Sequence, residues 1–326
     1  MAKVQDPVTR RVFSIVVPVY QNEANLSDTV PRLLALQDQL PKYRLELILV
    51  DDGSKDRSLG IAIEMAKQYP GHLRVVKLTR NFGQTPAIQA GLRYATGDCV
   101  GVISADLQEP HELFVEMVAA WEQGARFVLG ERQERTESSF HQMVSGTYWL
   151  LVRRLAFPDF PKMGYDFCLL DRQVVSDINR INEKNSSIFV LIYWLGYTPV
   201  RLPITRNLRR AGRSQWRLSK KISFTIDTLI GFTYLPARGI TILSVVLAVA
   251  SLVYLAYSLV NWLLFRATPP GWMTQVGLTT LLGSMIAFSL GIVSEYLVRI
   301  LDEARKRPPF VVDRTIGDDD HNAEHQ

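Results

Sequence analysis

Carboxylates in this chain stand where apolar runs stop. Asp51 and Asp52 follow LELILV at 45–50, and Asp106 lies just past CVGVIS at 99–104. Asp166 sits between a Pro-rich stretch at 157–163 and a further apolar run. A carboxylate ahead of a Gly-Ser turn can accept from the imide N–H of uracil or from ribose hydroxyls. It can equally cap a helix or close a turn, and that second role suits Asp51 best. Arginine is the other recurring type. Arg132 and Arg135 are spaced Arg-x-x-Arg, and so are Arg206 and Arg209. A guanidinium fork grips phosphate bidentately, whereas lysine offers a point charge. For Arg132 and Arg135 a solvated face is an equal alternative. For Arg206 and Arg209 phosphate is the expected ligand.

The elements that must position these groups alternate in type. Runs at 12–20 (VFSIVVPVY), 45–50, 73–78, 99–104 and 125–129 are apolar and rich in β-branched residues, as buried parallel strands are. Between them, 25–40, 58–68, 85–95 and 109–123 have helical character. This alternation predicts βαβ units and a mostly parallel sheet. In such sheets ligands bind outside the carboxyl ends of the strands, so Asp51, Asp52, Arg80, Asn81 and Asp106 should converge on one edge. Beyond Glu131 the pattern loosens into a charged loop (131–139), helices at 143–155 and 172–182, and an aromatic run at 187–195 expected to pack on the sheet.

The 326-residue chain carries a net charge of +5, and the excess is concentrated. Arg201, Arg206, Arg209, Arg210, Arg213, Arg217, Lys220 and Lys221 crowd one stretch ahead of two long apolar runs. Such a cluster suits phosphate or anionic lipid, and its place before the apolar runs argues against nucleic acid. The runs at 240–265 and 273–293 contain no charged residue, and each exceeds the ~20 residues that cross a bilayer as a helix. A short link with Pro269, Pro270 and Gly271 makes them a hairpin. Arginine and lysine flank both ends, so the positive-inside rule places both flanks in the cytoplasm. The segment at 222–234 has an apolar face and fits either the membrane interface or the soluble domain. The polar start of the chain carries no export pattern, and the acidic tail from Asp313 is expected to be disordered. Cys99 and Cys168 form no CxxC pair and read as reduced, buried thiols.

Taken in order, Val17-Pro18-Val19-Tyr20, Val50-Asp51-Asp52-Gly53-Ser54, Arg80-Asn81-Phe82-Gly83 and Ala105-Asp106-Leu107-Gln108-Glu109-Pro110 resemble glycosyltransferase family 2 with its GT-A fold. Tyr165-Asp166-Phe167, Arg206-x-x-Arg209-x-x-Gly212-x-Ser214, the two C-terminal spans and the Ser294–Ile300 segment resemble its polyprenyl-phosphate subgroup. The resemblance implies a cytoplasmic GT-A domain at 1–202, a basic juxtamembrane segment at 203–239, two transmembrane helices within 240–298, and a cytoplasmic tail at 299–326. It implies transfer of one sugar from a nucleotide-sugar, UDP-linked, to a polyprenyl phosphate at the inner membrane, with inversion, by a homo-tetramer.

By resemblance Pro18, Tyr20, Glu23, Asp52, Arg80, Asn81, Ser104 and Asp106 bind the donor, and Asp106 holds Mg2+ or Mn2+. Asp166 is the catalytic residue, and Arg132, Arg135, Arg206, Arg209 and Ser214 bind donor or acceptor phosphate. A lipid monophosphate is largely dianionic at neutral pH, so Asp166 can serve by positioning the acceptor rather than as a base. Two positions depart from the family: Ser104 replaces the first Asp of its DxD pair, and Gln215 stands where lysine is usual. The Gln-x-x-Arg-Trp signature of processive synthases is missing, which favours transfer of a single sugar. Two other readings stay open: a same-fold transferase acting on a hydroxyl, and a degenerate membrane scaffold.

Overall fold

The computed structural model describes residues 10–133, 150, 153–154, 157–181, 187–205, 235–265 and 271–317. Five strands arise where the apolar runs predict them: β1 (Arg11–Val19), β2 (Tyr43–Asp51), β3 (Leu73–Leu78), β4 (Cys99–Val102) and β5 (Phe127–Arg132). Three more complete the sheet: β6 (Cys168–Asp171), β7 (Val200–Ile204) and β8 (Val312–Ile316). The order is β7-β5-β6-β4-β1-β2-β3-β8. The central four strands are parallel, with Val19 beside Asp51, Val16 beside Val102, and Asp51 beside Lys77. β6 runs antiparallel between β4 and β5. This is a GT-A-like α/β arrangement with a mostly parallel sheet.

The helices are α1 (Glu23–Leu34), α2 (Leu36–Gln39), α3 (Ser58–Gln68), α4 (Gln84–Tyr94), α5 (Phe114–Glu122), α6 (Arg172–Asn179) and α7 (Ile188–Trp194). The helical stretch expected at 25–40 thus divides at Ala35, and the one expected at 109–123 opens with a 3-10 turn at His111–Leu113. The aromatic run at 187–195 forms α7, with Ile188 to Ile192 buried. The core closes over the sheet through Phe114, whose ring meets Phe13 and Phe167 edge-on at 5.4 and 4.8 Å. Gly101 on β4 makes room for it, since a Cβ there would lie 2.4 Å from the Phe114 ring. The buried Glu46 is satisfied by Ser14 Oγ at 2.5 Å, Thr96 N at 2.9 Å and Thr96 Oγ1 at 3.0 Å, as a buried charge requires.

One expectation is overturned. The tail from Asp313 is not disordered through its first residues: β8 pairs antiparallel with β3. Its sequence, VDRTI, has no apolar run, because an edge strand keeps charged residues toward water.

Residues Ile226–Arg307 form a second compact unit. Its described part is two long helices, α8 (Leu235–Phe265) and α9 (Gly271–Ala304). Large apolar side chains, among them Ile242, Val253, Leu264, Ile286 and Phe288, are exposed on them. Gly277–Val298 is long and apolar enough to cross a membrane. The helix expected at 143–155 falls almost wholly outside the described residues, and the segment at 222–234 lies wholly outside them.

Candidate active site

β1 lies between β2 and β4, so after β1 the chain passes toward β2, whereas after β4 it passes toward β5, and the strand order reverses between them. That switch point opens a crevice at the carboxyl ends of the strands. The loop after β1 is tied to the loop after β2 by a ladder of bonds. Gln21 N donates to Ser54 Oγ at 3.1 Å, Asn22 N to Ser58 Oγ at 2.8 Å, and Glu23 N to Asp56 Oδ2 at 3.3 Å. Glu23, expected at the donor, returns the bond by accepting from Arg57 N at 2.9 Å. Gln21 adopts φ +53°, uncommon for a residue with a Cβ, and Pro18 and Tyr20 are half-buried beside it.

Asp52 is only 3% exposed. Its two oxygens accept from Phe82 N at 2.6 Å and Gly83 N at 2.8 Å. Asp52 therefore fixes the loop after β3 that carries Arg80 and Asn81, both exposed. Each oxygen keeps a second lone pair for a ligand. Gly53 lets the two loops touch: its φ is +68°, and a Cβ would lie 2.6 Å from the Arg80 carbonyl carbon and 2.7 Å from Asn81 N. The Arg80 guanidinium stacks 4.0 Å from the Phe82 ring centroid. Asp51, also buried, accepts from Ser54 N at 3.3 Å, the turn role expected of it.

Burial pushes the Asp52 carboxyl up to about 6, against the two N–H donors that favour its charge. Between pH ~4 and ~6 the folded chain therefore holds a proton that the unfolded chain has released. This group's contribution to stability falls as pH rises through that window and is flat above it, a change of roughly 3 kcal/mol. Asp52→Asn removes the titration. Stability at about pH 4 minus stability at about pH 7, from denaturant titrations, should be lower by roughly 2–3 kcal/mol in this variant than in the parent chain.

At the end of β4 the chain turns sharply. Thr29 of α1 donates to the Ala105 carbonyl at 2.7 Å, Leu107 N bonds to Ser104 O at 3.3 Å, and Leu107 takes φ +45°. A left-handed residue with a bulky side chain persists only where its surroundings over-determine it, and such strain clusters at functional sites. It leaves Ser104 and Asp106 half-buried beside the end of β1. Among the described residues no group of three or more His, Cys, Asp or Glu side chains could hold a metal. Asp106 with the Ser104 hydroxyl is a sparse set. It fits an ion such as Mg2+ that takes one or two carboxylates and fills its shell with substrate phosphate and water.

Arg132 ends β5, and Asp166 precedes β6. The two strands pair, with Leu129 opposite Cys168 and Gly130 N bonded to Phe167 O at 3.0 Å. This register brings Arg132 Nη2 to 2.5 Å from Asp166 Oδ2. The same nitrogen lies 3.6 Å from Oε1 of Glu109, which is fully buried. Glu109 is the residue that the sequence reading left out of the site. Its signal was there: an acid close to Leu107 and Pro110, three residues past Asp106. Arg135, Arg206, Arg209 and Ser214 lie outside the described residues.

The family model described as Glycosyl transferase family 2 matches residues 14–178. An uncharacterized glycosyltransferase of Bacillus subtilis (strain 168) is 33% identical over 306 residues, covering 94% of each chain. An uncharacterized glycosyltransferase of Synechocystis sp. is 33% identical over 301 residues, covering 92% of this chain and 94% of that one. A prophage bactoprenol glucosyl transferase homolog of Escherichia coli (strain K12) is 29% identical over 305 residues, covering 93% of this chain and 98% of its own. With one half of the sequence matched by the family model and these relatives aligned almost end to end, the chain belongs to glycosyltransferase family 2 and is a glycosyltransferase.

Proposed function

We propose that this enzyme transfers one sugar from a UDP-linked donor to a polyprenyl phosphate at the cytoplasmic membrane face, with inversion. What supports this reading is that the Asp52-held loop, the Asp106 turn and Arg132 each lie at the carboxyl end of a strand, β3, β4 and β5. The bactoprenol glucosyl transferase relatives, aligned over nearly their whole length, support the acceptor. Both apolar runs, 240–265 and 273–293, cross the membrane as a hairpin with cytoplasmic flanks, and the enzyme works as a homo-oligomer.

In the reaction, an oxygen of the lipid phosphate attacks the anomeric carbon. The bond from that carbon to the donor's diphosphate breaks, and its electron pair leaves with the nucleoside diphosphate. Asp106, with Ser104 beside it, would hold a divalent ion, which would supply neutralisation of that leaving charge. The Asp52-held loop, with Arg80 and Asn81, orients the donor. Arg132 attracts phosphate, and its pair with Asp166 sets where the acceptor stops.

A dianionic acceptor needs little help from a base, whereas general-base catalysis contributes about 10²–10⁴-fold. Asp166→Asn should therefore lower kcat by less than ~30-fold with undecaprenyl phosphate as acceptor. A loss beyond ~10³-fold would favour a hydroxyl acceptor that must be deprotonated.

A further inference from the structure

β3 runs directly into the Thr79–Gly83 loop, and Asp52 holds that loop only from the β2 side. On the other side lies the segment that returns from the second unit. Pro308–Gln326 belongs to the same compact unit as the sheet. β8 pairs along β3 from Val75–Ile316 to Leu78–Val312. One residue further, Thr79 N donates to Val311 O at 3.0 Å, so the pairing extends to the first residue of the loop. Lys77 Nζ and Asp313 Oδ2, 236 residues apart, meet at 2.7 Å. Phe310, 7% exposed, lies under Arg93 of α4, with the guanidinium 5.0 Å from its ring centroid. α4 begins at Gln84, immediately after Gly83. The returning segment therefore touches both the strand that enters the loop and, at Arg93 in its last turn, the helix that leaves it.

We infer that residues 308–317 are a clasp that positions the Arg80–Gly83 loop for the donor. The clasp reaches the sheet only after both long helices, so the geometry of a loop at the catalytic edge depends on a segment that follows α9. A strand that merely shielded an edge from aggregation would have no need to continue to Thr79 or to pack on α4. Phe310, Val311 and Asp313 are positioning residues in this account. Only their effect on donor binding rests on the function proposed above.

The test is amide hydrogen exchange on the detergent-solubilised full chain, on a chain ending at Arg307, and on the full chain carrying Phe310→Ala. Loss of the Val311 acceptor will speed exchange at Thr79 whatever the role of β8. The clasp predicts more: exchange at Phe82 and Gly83, whose N–H groups bond to Asp52, rises by at least ~10-fold in the truncated chain and ~3-fold in Phe310→Ala. β1 and β2 should be unchanged. Acceleration confined to Thr79 and the β3 edge overturns the inference, and if the truncated chain does not fold, Phe310→Ala decides. The affinity for whichever UDP-, GDP- or dTDP-sugar supports transfer should fall by about tenfold, with kcat at saturating donor within ~3-fold. Faster exchange with unchanged donor affinity would keep the clasp and sink the donor role of the loop.

Discussion

Asp106→Asn lowers transfer by at least ~10³-fold in a chain that still folds. The size of this effect follows from how little stands beside it. By resemblance Ser104 stands where the family usually has a second carboxylate, and among the described residues no triad of ligating side chains could take over. Asparagine keeps the shape of the turn that Thr29 and Leu107 set, but it removes the charge that would attract a cation. A leaving diphosphate that is not neutralised forfeits the largest electrostatic term in such a reaction, worth several kcal/mol. The same sparseness predicts an order of binding. Mn2+ alone should bind the protein weakly, and a nucleoside diphosphate should tighten it by at least ~10-fold, because phosphate oxygens complete the shell. Isothermal titration with Mn2+, with and without UDP, measures this in parent and variant. Tight metal binding without nucleotide, kept in Asp106→Asn, would place the ion elsewhere.

The second large effect is at Arg132, where stability and catalysis can be separated. Arg132→Ala takes a guanidinium from the fully buried Glu109 and from the partly exposed Asp166 at once. Removing one partner of a buried pair typically costs about 3–5 kcal/mol, because a charge is left in a poor environment. If Arg132 binds phosphate as proposed, activity should also fall by ~10²-fold or more. Adding Glu109→Gln removes the stranded charge. The double variant should regain at least about half of the lost stability and none of the lost activity. Thermal unfolding and kcat/KM across the four-member cycle report the two effects independently. Recovery of activity together with stability would mean that Arg132 is only a support.

Much of this arrangement was legible in the sequence. Strands β1 to β4 declare themselves because a parallel strand buried on both faces must be a continuous apolar run. Their alternation with helices then fixes which ends face the ligand. The same alternation puts Asp52 and Asp106 just past the carboxyl ends of β2 and β4. What Asp52 touches was not legible, because its partners are backbone N–H groups of a loop 30 residues away and carry no side-chain signature. Glu109 was missed on similar grounds. Arg132 lies 3.6 Å from its carboxylate, and their meeting depends on the register between β5 and β6. β8 was misread because its stability is borrowed from the free edge of β3, and the charges on its exposed positions look like those of a tail. The short run at 187–195 has the length of either a strand or a helix, and periodicity does not divide the two.

The most direct test of the central claim is a transfer assay on purified, detergent-solubilised full chain. It contains undecaprenyl phosphate or undecaprenol, a panel of labelled UDP-, GDP- and dTDP-sugars, and Mg2+, Mn2+ or EDTA. The account predicts one labelled lipid, formed from a UDP-sugar on the phosphate and not on the alcohol, that disappears with EDTA. Labelled undecaprenol, or no lipid product from any donor by protein shown to be folded, would contradict it.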